Sequence, residues 1–319
     1  NMLDEHLSPL QCVLILHGRG GHQSLKREIE TIQSGAERGL AMTMPIEKGG
    51  VTRVTLTKPY QEAFVTFSTH GCDICAACRF KRATIGGQQE HAARPSIGYE
   101  KTARATLDRG EEGALDIAGP MPVKSSQFGY RFAALIKLRN RGNRFISGMV
   151  HHTQPVVQEH LQLTQALLRP YVGTLYIMRL DGASEFTCDE MVKYLSSEGD
   201  GTAAEFSAPY VHEQQPVERD WSTLARTAIC GMRHGPGGRK SDWFDAMRDA
   251  VYKEERYVTR RPSYDDKNIS AYERLTGSIP SYDLVLAFRT PVRFWVDPET
   301  RQDKLDEKAR AGFFMGVSP

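Results

Sequence analysis

Apolar and polar positions divide this chain into two textures. In the second, GALDIAGP is a short apolar run broken by Gly-Pro, which predicts a strand. RFAALIKL and RFISGMV predict two more strands, joined by the turn-like RNRGN. From Thr153 to Leu168, Val157, Leu161 and Leu168 recur at helical spacing, with Thr164 interrupting the stripe. TLYIMRL predicts a fourth strand ending at Asp181, CDEMVKYLSSEG a helix and AAEFSAP a short fifth strand. Long helices are expected from about Val217 and over Asp242 to Glu255. Three successive strands pair as an antiparallel meander, and strands separated by helices join in parallel. The expected fold class is therefore α/β, a mixed five-stranded sheet with flanking helices.

The first texture covers residues 1–90, rich in His, Cys and Gly. Ser24 to Ser34 predicts a helix with Ile29 and Ile32 on one side, and VTRVTLTKPYQEAFVTF alternates as β structure does. The polar run GGQQEHAARPSIGYEKTAR predicts a linker. The expected organisation is a small helical/β module over 1–90, a linker over 91–109, a core over 110–261 and a post-core segment over 262–319. That last segment carries no pattern that predicts a compact fold.

At 319 residues, with 40% hydrophobic and 25% charged, the chain has room for two domains and is neither disordered nor fibrous in composition. No apolar run approaches the ~18 residues of a membrane span, so no membrane partner is expected. NMLDEHLSPLQ lacks the basic and apolar regions of a signal peptide, and the chain is expected to be a segment of a longer polyprotein. A net charge of +2 leaves nucleic-acid binding to local clustering.

Three of the six cysteines, Cys72, Cys75 and Cys78, fall within one short stretch, a pattern for metal or redox work. Cys12, Cys188 and Cys230 are expected to be packing residues. His17 and His22 stand as H-x4-H, and Cys72 and Cys75 as C-x2-C; two such pairs supply the tetrahedron of zinc. By spacing alone, Cys75 and Cys78 form an equally good pair. A thiol oxidoreductase would place the motif at a strand-to-helix junction in a βαβ unit, and none is visible.

Three acids stand out by position. Asp116 lies in the first core strand, Asp181 ends the fourth and Glu218 begins the long helix. Gathered together they would repel unless a divalent cation neutralised them, and hard oxygen ligands suit magnesium or manganese. Two such ions clamp the attacking and leaving oxygens of a phosphodiester displacement. The same residues also read as a turn (Asp181-Gly182), a strand-end cap and a first-turn helix acid. Arg131, Lys137, Arg139, Arg141 and Arg144 form a run without an acid, Arg79, Lys81 and Arg82 follow the cysteines, and Arg219, Arg226 and Arg233 recur every seven residues. These could track a DNA backbone or simply be solvated.

In order along the chain, HGRGGH, CDIC, LDIAGP, LDGASEF, SAPY…QQ…VER…TLAR, AYERLTGSIPSYDLVLAFRTPVRFWV and KLDEKARAGFFMGVSP resemble the integrase region of a copia-type (Pseudoviridae) LTR retrotransposon polyprotein. The resemblance implies a zinc-binding pre-integrase module, an RNase H-like catalytic core, and magnesium-dependent 3′-end processing and strand transfer of element cDNA into target DNA. It also implies a homo-oligomer on DNA ends and nuclear action after assembly in cytoplasmic virus-like particles. Carried over by position, His17, His22, Cys72 and Cys75 are zinc ligands and Asp116, Asp181 and Glu218 the acidic triad. One departure stands out: Gln215 runs directly into Pro216-Val217-Glu218, two residues short of the family pattern. Misplacement by ~1 Å can cost about 100-fold in rate. The alternative expectation is thus a catalytically eroded DNA- or protein-binding remnant with a misplaced third carboxylate.

Overall fold

The computed structural model describes residues 7–33, 43–48, 51–79, 111–195, 201–206, 217–261, 265–297, 299, 301 and 308–317. Helix α1 (Pro9–Arg19) begins at Ser8, whose hydroxyl accepts the Gln11 N–H while the Gln11 side chain accepts the Ser8 N–H. That reciprocal cap, with Pro9 in the first turn, satisfies donors the helix itself cannot. Helix α2 (Leu25–Gln33), the antiparallel pair β1 (Thr43–Lys48) and β2 (Val51–Leu56), α3 (Lys58–His70) and α4 (Asp73–Arg79) complete the N-terminal unit. The stretch expected to be wholly β is extended only to Leu56. Beyond it Pro59 opens α3, which buries Ala63, Phe64 and Phe67; their i, i+1, i+4 spacing is that of a helix face, since neighbouring residues of a strand point to opposite sides. With Cys12, Val13, Leu16, Ile32 and Leu56 they make a small core of their own.

The second unit runs β3 (Glu111–Ala118), β4 (Phe132–Leu138), β5 (Arg144–Met149), α5 (Gln154–Val172), β6 (Leu175–Leu180), α6 (Ser184–Thr187), α7 (Asp189–Lys193), β7 (Ala203–Phe206), α8 (Glu218–His234) and α9 (Trp243–Arg256). Its sheet has the order β5-β4-β3-β6-β7. The first three strands pair antiparallel, β6 joins β3 in parallel and β7 joins β6 in parallel. This is the expected mixed sheet with flanking helices, RNase H-like in strand order.

Alternation along the strands assigns the two faces. Leu115 and Ile117 on β3, with Met178 and Leu180 on β6, pack toward α5. Ala114, Ala133 and Leu135 pack on the other side against Leu224 and Ala228 of α8 and Phe244, Met247 and Ala250 of α9. Thr164 does not break the α5 stripe. It is buried with Val157, Leu161 and Leu168, and its hydroxyl donates to the His160 carbonyl.

β8 (Val258–Arg261) closes the expected core span, and in the segment where the sequence predicted no compact fold β9 (Asp265–Ser270), α10 (Ala271–Thr276), β10 (Pro291–Trp295) and β11 (Ala309–Phe313) are formed. Phe288 drives into the core between sheet and helices, and Arg289 pairs with buried Asp242 at 2.6 Å. The N-terminal unit is tied down as well. Arg27 of α2 pairs with buried Glu254 of α9 at 2.6 Å, Gln23 donates to the same carboxylate, and Thr31 accepts the Val258 N–H. No described helix is long and apolar enough to cross a membrane.

Candidate metal centres

The first centre is built where α1 ends. Glycines at 20 and 21 turn the chain back, the latter at φ 72°, and the His22 N–H donates to the His17 carbonyl at 2.9 Å. His22 itself is held at φ 60°, a conformation uncommon outside glycine. The turn sets the two imidazoles edge to face, 4.8 Å between centroids. From the other side come Cys72, just before α4, and Cys75 in its first turn. Backbone N–H groups of Ile74 and Cys75 point at the Cys72 sulfur.

The four donors converge. His17 Nε2 lies 3.1 Å from Cys75 Sγ, and His22 Nδ1 lies 3.4 Å from Cys72 Sγ and 3.5 Å from Cys75 Sγ. All four ligand atoms sit within 4.8 Å of one another. A tetrahedral zinc with ordinary bond lengths holds its nitrogen and sulfur ligands about 3.6 Å apart, so the set fits the ion. Among the described side chains, Cys72 and Cys75 are the gathered pair; the side chain of Cys78 lies outside the described residues. Glu28 accepts at 2.7 Å from His17 Nδ1, leaving Nε2 for a metal, the usual carboxylate support of a ligating histidine. Sequence reading missed Glu28, although its place one turn into an amphipathic helix was a signal.

Electrostatics support thiolate character. A hydrogen bond from Cys230 overcomes burial and, with His17 and His22, lowers the Cys75 pKa to about 2. Burial pulls His17 down, but Cys75 and Glu28 outweigh it and raise its pKa to about 9. Burial pushes the Cys72 thiol up.

The three acids stand around the ends of β3 and β6 and the start of α8; among the described residues the His/Cys knuckle alone gathers three or more ligand atoms closely enough to hold a metal ion. The register pairs Ala114 with Arg179, so two residues on it brings Asp116 level with Asp181 on the neighbouring strand. Alternation turns both toward α8, whose first residue is Glu218. Burial raises the Asp116 pKa, and the charges of Asp181 and Glu218 raise it further. The Ile117 N–H donates to Asp116 Oδ1 at 2.9 Å and the Ala183 N–H to Asp181 Oδ1 at 3.1 Å, fixing one oxygen of each carboxylate. Trp221, one turn into α8, brings its indole N–H to the Asp116 side and opposes the rise without closing a well-aligned hydrogen bond. Glu218 is exposed.

The start of α8 is pinned by a clamp that the sequence did not reveal. Asp220 is buried and pairs with Lys137 of β4 at 2.5 Å and Arg144 of β5 at 2.8 Å. Those two cations face each other across the β4–β5 ladder. Burial pushes Asp220 up, but Arg144 and Lys137 outweigh it and hold its pKa low. Of the other cations of the run, Arg139 pairs with Glu112 at 2.6 Å and Arg141 with Glu111 at 3.2 Å, while Arg131 donates to the Met121 carbonyl. From Lys137 to Arg144 the acid-free run in sequence is therefore charge-paired in space. Arg219 is exposed and Arg226 half-buried on α8. The Arg79 side chain, Lys81, Arg82 and the segment containing Gln215 and Pro216 lie outside the described residues.

No family model and no curated protein matches this chain. Among solved structures, the HTLV-2 integrase catalytic core domain in complex with magnesium, in its dimeric form, is similar at 12% identity and TM-score 0.39, covering 52% of this chain and 96% of that one. Its trimeric form gives 13% and 0.39 over the same shares. The simian T-cell lymphotropic virus intasome, in complex with PP2A regulatory subunit B56 gamma, gives 11% and 0.41, covering 63% of this chain and 66% of that one. The RNase H-like assignment stands on this chain's own strand order and direction.

Proposed function

We propose that this chain is an integrase of the copia-type retrotransposon class, a polynucleotidyl transferase that processes the 3′ ends of element cDNA and joins them to target DNA. What supports the reading is the placement of Asp116 and Asp181 on adjacent strand ends facing the helix that begins with Glu218, where burial, and after it the charges of the other two acids, raise the Asp116 pKa. Acids so arranged are a cost to the fold unless a divalent cation is bound. Magnesium or manganese there would supply electrophilic stabilisation of both the attacking and the leaving oxygen. The chain's own residues do the rest. The Ile117 and Ala183 N–H groups orient the aspartates, and Asp220, held by Lys137 and Arg144, fixes the helix that presents Glu218. Arg219 and Arg233, exposed on α8, with half-buried Arg226 between them, would meet DNA phosphates without reading sequence.

The His17, His22, Cys72 and Cys75 knuckle is a structural zinc site in this reading: it has four protein donors and no open position. Action in the nucleus as a homo-oligomer on DNA ends belongs to the same proposal. The test is strand transfer with a pre-processed DNA end in magnesium. Asp116→Asn or Asp181→Asn is expected to remove at least about 1000-fold of the rate, equivalent to about 4 kcal/mol of barrier. Wild-type activity in either variant overturns the assignment. DNA binding by a wild-type chain that never shows transfer points instead to the eroded remnant.

A further inference from the structure

The knuckle does not stand apart from the core. Thr227, Cys230 and His234 recur at helical spacing on α8 and so share one face of it. The knuckle rests on that face. A side chain at Gly18 would run into the His234 ring, with Cε1 only 2.6 Å from its Cβ, and one at Gly21 would meet Thr227 Cγ2 at 2.9 Å. The His22 and His234 rings meet edge to face at 5.2 Å. Cys230 is fully buried, and its thiol is a hydrogen-bond partner of Cys75. The same helix begins with Glu218, one end of α8 at each centre.

We infer that Thr227, Cys230 and His234 form a seat for the metal knuckle, and that Cys230 is a positioning residue whose thiol donates to the Cys75 sulfur. Through it, metal held by the knuckle orders the helix that presents Glu218. This inference rests on the reading of the knuckle as a zinc site. Outer hydrogen bonds of this kind typically carry about 10–100-fold of metal affinity. A helix seated at one end on a closed chelate and clamped at the other by Asp220 has little freedom to tilt.

The test uses the full chain, zinc competition against a chromophoric chelator, and amide hydrogen exchange along Glu218–His234. Wild type takes up one equivalent of zinc, and stripping it speeds exchange along α8. Cys230→Ala keeps all four ligands and still takes up one equivalent, about 10–100-fold more weakly. Cys230→Ser keeps a donor and restores most of the affinity, which a loss of packing alone would not allow. Zinc affinity within about twofold of wild type in Cys230→Ala overturns the inference while leaving the zinc site standing. So does α8 exchange that ignores zinc, or a serine variant no better than alanine. A wild-type chain that binds no zinc removes both the site and its seat.

Discussion

The two centres are held in opposite ways. Around His17, His22, Cys72 and Cys75 the donors already touch, because an imidazole can share a proton with a thiolate and the set satisfies itself in part. Asp116, Asp181 and Glu218 can only accept when ionised, so nothing among them attracts. Their positions are set from outside, by the β3–β6 register, two backbone N–H groups and the Asp220 clamp, and among the described residues they do not close to metal-binding distance as the knuckle donors do. The contrast teaches that a soft-ligand site can be preassembled by its own chemistry. A carboxylate site must instead be imposed by the scaffold, and the scaffold is where it is vulnerable.

The strongest attack on the contrast is therefore at the clamp. Asp220→Asn leaves Lys137 and Arg144 buried without their carboxylate, and breaking such a pair costs about 3–5 kcal/mol. Urea unfolding should show that loss, and magnesium-dependent activity should need more magnesium, while the zinc content stays at one equivalent. An unchanged urea midpoint would mean the clamp is not what holds α8.

A pH effect comes next. Burial raises the Glu255 pKa to about 7 against the pull of Arg144 and Asn143. A carboxyl raised in the folded state adds stability that is complete below its unfolded value near 4.5, and that stability is lost as pH climbs to about 7. At most about 3 kcal/mol is involved. Glu255→Gln should flatten the dependence of urea stability on pH across that window; a slope identical to wild type would place the titration elsewhere.

On the soft-ligand side the expected effects are smaller. Glu28→Gln weakens the support of His17 and should lower zinc affinity by about 10–100-fold with strand transfer intact at saturating zinc. Equal affinity in chelator competition would show that the histidine needs no carboxylate. Smallest is Arg219→Ala, where DNA affinity should fall evenly across sequences and the salt dependence should lose about one phosphate contact. A sequence-selective loss would argue for base contact instead.

Much of the core could be read in advance, because its signals are local. Apolar runs ended by Gly-Pro or Asp-Gly mark the strands, and a mixed sheet follows from three strands in succession and two more after helices; the order of its strands comes from the structure. The α1 start was also legible in Ser8, Pro9 and Gln11, yet the reading passed over it. What could not be read depends on distance in space. Arg139 and Arg141 look like a free basic loop until Glu112 and Glu111 are folded beside them. Cys230 looks like packing until the phase of α8 brings it under Cys75. The segment from Val51 to Phe67 differs in another way: the strand ends at Leu56, and Pro59 with the i, i+1, i+4 spacing of Ala63, Phe64 and Phe67 marks the change to helix.

The Lys137–Asp220–Arg144 arrangement has an evolutionary consequence. Two like charges face each other on adjacent strands and are reconciled by one acid from a distant helix. None of the three can drift alone without stranding the others. Among relatives of this chain they should be inherited as a set, or be replaced together by neutral side chains that fill the same volume.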